Sequence, residues 1–168
     1  LIHNWFKLRE EREMLFDLYF ATRYNCSMYA NSQFLNLMQG LESYHRGKFR
    51  GKYDGELISD LKENLEDIKP DKEESKKLRY KVNGYKSRIA EYSIRDRIEE
   101  VKSNADPVLP ERVAKDEDFV KRSVNYRHKL THPDGDTNSN MDYSELIWDT
   151  TRLRLLSEAS ILQDLGLE

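Results

Sequence analysis

The sequence predicts an all-α protein, a bundle of about six helices with no sheet. Apolar residues recur at three- and four-residue intervals along nearly every segment. No stretch alternates as a strand would, and no repeat or low-complexity tract interrupts the pattern. Charged residues make up 35% of the chain and hydrophobic ones 38%, a balance that suits helices with charged outer faces better than stacked strands.

Taken in order, Trp5, Leu8, Leu15, Leu18 and Tyr19 fall at helical spacing. They predict one helix or two short ones ending near Tyr24, before a break at Asn25-Cys26-Ser27. A second helix from Asn31 carries Phe34, Leu37, Met38, Leu41 and His45 on one stripe, with Ser32 as a cap, and stops near Gly47. Glu42 and Arg46 stand four apart there, the spacing of a helical ion pair. Leu57, Ile58, Leu61, Leu65 and Ile68 give a third helix closed by Pro70. Asp71 then caps a fourth, which runs through Leu78 and Val82 until Asn83-Gly84 interrupts it, and a further piece carries Ile89, Ile94, Ile98 and Val101. The break from Ser103 to Glu111, with Pro107 and Pro110, is read as an internal loop, because neither half has the apolar surface to close a core alone. A helix starting near Asp116 follows, then a polar loop. The last helix sets Trp148, Leu155, Ala159 and Leu162 on one face, with Leu153, Leu156 and Leu165 widening it, and ends at Gly166.

Residues 1–168 are thus expected to form one domain, and a chain this long buries about 70% of its unfolded surface without staples. Cys26 is the single cysteine, which excludes an internal disulfide and a cysteine-based metal site. A reducing cytoplasm is the expected compartment. No apolar run approaches the ~18 residues of a membrane span, so no membrane partner is expected. The chain opens at Leu1 inside an amphipathic pattern. We therefore expect the C-terminal part of a longer polypeptide, whose N-terminal domain acts as a sensor. Net charge is -3, which argues against a broad sequence-independent grip on nucleic acid and confines any such contact to a local patch. Two basic runs exist. One is Arg46, Lys48, Arg50 and Lys52, and the other is Lys76, Lys77, Arg79, Lys81, Lys86 and Arg88 with Tyr80 and Tyr85 interleaved. The ordinary reading of both is solvated helix surface.

The chemistry gathers in Asn125-Tyr126-Arg127-His128-Lys129-Leu130-Thr131-His132-Pro133. Phe119, Val120, Val124 and Leu130 make one apolar stripe with Arg127 in the middle of it. A guanidinium aimed inward must find a partner or line a cleft, because an unpaired buried charge is costly. On an unbroken helix Arg127 and His132 would point roughly 140° apart. Pro133 biases His132 away from helical geometry, so the helix is expected to fray at Thr131 and let the two side chains converge on one anion. The candidate chemistry is an arginine and a histidine over a phosphate. A neutral imidazole, with a reference pKa near 6.5, can take a proton from a ribose 2′-hydroxyl or give one to a leaving 5′-oxygen. The guanidinium fork can hold the phosphate oxygens as charge builds. Such cleavage needs no metal or other cofactor. It needs an acid and a base, so two copies facing each other would complete the site.

Arg127-His128-x3-His132 resembles the Arg, polar residue, three residues, His signature of the HEPN superfamily of helical nucleotide-binding and ribonuclease domains. The stretches from Phe34 to Arg46 and from Leu155 to Gly166 are similar to its ApeA-like branch. The resemblance implies a homodimeric, metal-independent endoribonuclease, a toxin or abortive-infection effector against phage. It implies Arg127 and His132 as catalytic and His128 as auxiliary. Asn125, Tyr126, His45 and Arg46 are candidates for contacting RNA, with Tyr126 stacking a base. No role attaches to Glu42 at this stage.

Three rival readings remain open. The same cleft can serve a non-catalytic module that holds a nucleotide or RNA, or that dimerises. His128 and His132, four apart, can bind a metal from one helical face, with Asp134 or Asp136 adding a carboxylate. Asp134, Asp136, Asn138, Asn140, Asp142 and Glu145 fall at the ligand positions of a calcium loop, with Ser139 where that loop wants glycine.

Overall fold

The computed structural model describes residues 1–25, 27–66, 75–132 and 142–167. Among these the chain is all-α, with nine α-helices, one 3-10 turn and no strand. By contacts it divides into two compact units, residues 1–49 with 94–168 and residues 50–93. The chain leaves and re-enters the larger unit at those points, while the 103–111 break lies inside it. That break is not bare loop. It holds the 3-10 turn Asp106–Val108 and opens the short helix α7 (Glu111–Ala114), with Leu109 and Val113 buried.

The larger unit begins with α1 (Ile2–Glu11) and α2 (Glu13–Tyr24), so the first segment is two helices with the chain turning at Arg12. α3 (Ala30–Lys48) packs against α2 and against the last helix, α9 (Tyr143–Asp164), with α6 (Ile94–Ala105) and α8 (Phe119–Thr131) completing the bundle. Phe16, Phe34, Leu37, Met38, Leu41, Ile98, Phe119, Leu146, Leu153 and Leu156 fill the core. Burying one such side chain is worth about 1.5–3 kcal/mol. Ser32 does not cap α3, which starts two residues earlier at Ala30 without a side-chain cap. Gly166 does end the last helix. At φ 71° it lets the Leu167 N–H reach the Leu162 carbonyl at 2.9 Å.

Two expectations about helix faces need correction. Asn83-Gly84 does not interrupt a helix, because α5 (Ser75–Arg88) runs through both. One glycine costs about 1 kcal/mol against alanine, too little to break a helix by itself. Trp148 is 62% exposed and Leu162 is exposed as well. Leu153, Leu156 and Ala159 are buried as expected, and the core face is completed by Leu146, Asp149, Thr150, Ser157 and Ser160. Its hydroxyls are satisfied locally: Thr150, Ser157 and Ser160 donate to the carbonyls of Leu146, Leu153 and Leu156 at 2.7–2.9 Å. A buried polar side chain with its bond made is tolerated in a core, so apolar periodicity alone misjudged the face.

The smaller unit consists of α4 (Glu56–Glu66) and α5, closed at its base by a bridge between Lys52 and Glu91 and by the rings of Tyr53 and Tyr92, 4.6 Å apart. The stripe expected to bury α4 is largely on the surface, since Leu57 and Leu61 are both exposed. Ile68, Pro70 and Asp71 lie outside the described residues.

His45 is fully buried. Its Nε2 lies 2.7 Å from Glu100 Oε2, and Arg97 Nη1 lies 3.1 Å from its Nδ1. Arginine can only donate, so Nδ1 is bare and Nε2 carries the proton. This neutral tautomer hydrogen-bonds Glu100 rather than forming an ion pair with it. Burial pushes the pKa of His45 below its usual value, outweighing the upward pull of Glu100. The unfolded chain takes up a proton near pH 6.5 that the folded chain refuses. Stability from this residue is therefore complete above that pH and is lost as pH falls towards the lower folded value. Urea midpoints between pH 7.5 and pH 5 should decline in the native chain and decline less in His45→Gln.

Candidate active site

α8 presents the motif, and its rotation is fixed by packing on one side and charge on another. Phe119, Val120, Ser123 and Tyr126 are buried, and Val124 and Leu130 pack partly against the core. One turn before the motif, Arg122 donates to Asp116 at 2.7 and 3.2 Å and to Asp149 at 3.1 and 3.3 Å, and lies 3.3 Å from Glu145. Arg152 reaches the same three carboxylates at 2.7–3.2 Å. Asp149 is fully buried among these groups. The Arg122 hydrogen bond holds the Asp116 carboxyl below its usual range. Two arginines and three carboxylates thus tie α8 to α9 and decide which way the following turn faces.

Arg127 projects between the buried positions Val120 and Ser123 of α8, on the side that meets α3. Near the end of the helix that side opens, and the side chain is 37% exposed. The required partner is Glu42, whose Oε2 lies 3.4 Å from Arg127 Nη2. Glu42 Oε1 accepts from Arg46 at 3.0 Å, so one carboxylate of α3 holds two guanidiniums. Sequence reasoning gave Glu42 no part in the site. The contact spans 85 residues and left no local signal.

The imidazoles lie elsewhere on the helix. The helix ends at Thr131 as expected, and His132 leaves helical geometry at φ -132° and ψ 75°, although its N–H still bonds the His128 carbonyl at 2.9 Å. The Thr131 hydroxyl donates back to the carbonyls of Arg127 and His128 at 2.8 and 3.3 Å. His132 lies beside its neighbour one turn back. Its ring centroid is 5.0 Å from that of His128, and both residues are exposed. Within one chain the guanidinium faces Glu42 and the histidine faces its neighbour one turn back, so the predicted convergence of Arg127 and His132 is not made there.

The RNA-contact candidates separate. Asn125 is exposed beside the motif, and Arg46 is half-exposed through its bond to Glu42. Tyr126 is buried, its ring edge-on to Phe34 at 6.2 Å, so it has no face to offer a base. His45 is sealed in the core and out of reach of any ligand. Of the calcium pattern, Asp134, Asp136, Asn138 and Asn140 lie outside the described residues, as does Pro133. Asp142 caps α9 by accepting from the Ser144 and Glu145 amides, and Glu145 is committed to Arg122 and Arg152. Among the described residues no three His, Cys, Asp or Glu groups are placed to hold a metal. No described helix is long and apolar enough to cross a membrane.

The family model for Apea-like HEPN domains matches residues 35–168. The chain belongs to the Apea-like HEPN family. The match takes in α3 from residue 35 onward, with Glu42, and all of α8 and α9, and leaves α1 and α2 before it. Membership in this HEPN family points to a nuclease or defence-related role. No curated protein and no solved structure matches the chain.

Proposed function

We propose that this HEPN domain is a metal-independent endoribonuclease, working as a homodimer and serving as a toxin or antiphage effector. The observation that carries the reading is the end of α8, where Arg127 is part-exposed and His128 and His132 are exposed within six residues of one another. In the proposed reaction an imidazole removes the proton from a ribose 2′-hydroxyl, and the oxygen attacks the adjacent phosphorus. The bond from phosphorus to the 5′-oxygen breaks, the imidazolium so formed returns its proton to that oxygen, so that one histidine serves as base and then as acid, and a 2′,3′-cyclic phosphate and a 5′-hydroxyl result. Arg127 Nη2 is held by Glu42 while the rest of its fork can face the phosphate oxygens as charge builds on them.

Arg127 held by Glu42 and His132 set beside His128 direct the assembly. A guanidinium of one copy and a histidine of the other can meet over one phosphate when two such helix ends face each other about a twofold axis. His128, its ring tilted beside that of His132 at 5.0 Å, supports it.

The test is incubation of labelled RNA with the protein in EDTA. Cleavage is expected at the same rate with and without chelator, leaving cyclic phosphate ends. Activity that EDTA removes would favour a metal held by His128 and His132. RNA bound but never cut would establish a binding module.

A further inference from the structure

We infer that α5 is a second RNA-binding element, a stacking platform for single-stranded RNA that lies outside the catalytic motif. The inference takes the ribonuclease reading as the source of its ligand class. Its ground is the composition and exposure of one helix face. Between Ser75 and Arg88 the sequence holds six lysines and arginines and no acidic residue, in a chain whose net charge is -3. A local patch is the only form of nucleic-acid grip that such a balance permits.

The structure shows what that helix displays. Tyr80 is 79% exposed and Tyr85 is 72% exposed. Lys81 and Arg88 are exposed as well. At 100° per residue these four span about 140° of the helix, while the less exposed Val82 and Lys86 lie on the other side. Gly84 falls inside the displayed face, and a Cβ placed there would meet nothing within 4 Å. Among the described residues neither Lys81 nor Arg88 makes an ion pair, whereas Arg50 of the same unit is paired with Asp54.

Two largely exposed tyrosines that diverge by about 140° around the helix, with the exposed cations Lys81 and Arg88 at bearings between them, match the chemistry of a single strand that wraps the helix. Bases stack on aromatic rings whatever their sequence, and lysine and arginine take the phosphates. The rings are about 7.5 Å apart along the axis, which lets each take its own base. Charge complementarity selects RNA over an apolar protein segment, because the face that carries the rings is cationic.

The experiment measures binding of a labelled, 2′-O-methylated single-stranded RNA to the full chain. This ligand cannot be cleaved, so binding is read whether or not the domain is a nuclease. Tyr80→Ala and Tyr85→Ala should each weaken binding about tenfold, and the corresponding phenylalanine variants should bind like the native chain. Lys81→Ala with Arg88→Ala should make the slope of log affinity against log salt shallower by about 0.7 for each phosphate no longer neutralised. All are surface positions, and circular dichroism should be unchanged. Native binding and salt slope in these variants would overturn the inference, as would loss of binding in Arg127→Ala alone. Tyrosine-dependent binding to phosphatidylserine vesicles with RNA binding unaltered would assign the face to membranes and overturn it too. A native chain that binds through α5 but cuts no RNA would refute the ribonuclease reading and leave this one standing.

Discussion

Arg127→Ala and His132→Ala are each expected to lower RNA cleavage by about a hundredfold to a thousandfold, for different reasons. Alanine at 127 removes the donors facing the phosphate as it gains charge, and alanine at 132 removes a proton carrier. Neither change should unfold the protein. Arg127 is part-exposed and its contact with Glu42 is long, at 3.4 Å, so the pair is worth under about 1 kcal/mol. Glu42 also keeps Arg46, so no carboxylate is stranded. His132 is exposed beyond the helix end. The measurement is single-turnover cleavage of labelled RNA alongside circular dichroism and urea midpoints. Unchanged stability with lost cleavage would place both groups in the chemistry. Native rates in either variant would remove that residue from it.

The largest effect on stability is expected one turn earlier. Arg122→Ala should cost about 3 kcal/mol, because it leaves Asp116, Asp149 and Glu145 crowded around Arg152 alone, with Asp149 fully buried. An exposed pair provides the contrast: Arg50 and Asp54 are both well over half exposed, and Arg50→Ala should change stability by less than about 0.5 kcal/mol. Urea unfolding would separate the two directly. Because the Arg122 cluster sets the rotation of α8, the Arg122 variant should also lose cleavage at temperatures where it remains folded. Full cleavage there would mean that apolar packing alone orients the motif.

Much of this was legible in the sequence, for reasons that differ by residue. Phe34, Leu37, Met38 and Leu41 announced α3 because their spacing is a property of the helix itself. Gly166 announced the end of α9 because only a residue without a Cβ adopts φ 71° freely. Arg127 stood out as a charge on an apolar side, and the side was right. The failures are of one kind. Trp148 was assigned to the core because α9 carries apolar residues around much of its circumference, and the contacts that bury Asp149 instead come from Arg122, 27 residues away. Tyr126 looked like a free ring because Phe34, which covers it, belongs to another helix. Glu42 was invisible as a partner of Arg127 for the same reason. Pro133 did announce the helix end at Thr131 and the non-helical His132, but the imidazole lies beside His128 and Arg127 is held by Glu42, a partner on another helix. Local pattern reports which residues form helices, and long-range charge pairing decides which way those helices turn.

The most direct measurement is complementation between two inactive chains. Arg127→Ala and His132→Ala proteins would be mixed, allowed to exchange subunits, and assayed on labelled RNA, with mixed dimers confirmed by differently tagged chains. If each site takes its arginine from one copy and its histidine from the other, a mixed dimer regains one intact site. Random pairing makes half the dimers mixed, so cleavage should return to about a quarter of the native rate. Confirmed mixed dimers with no cleavage above either parent would contradict the account.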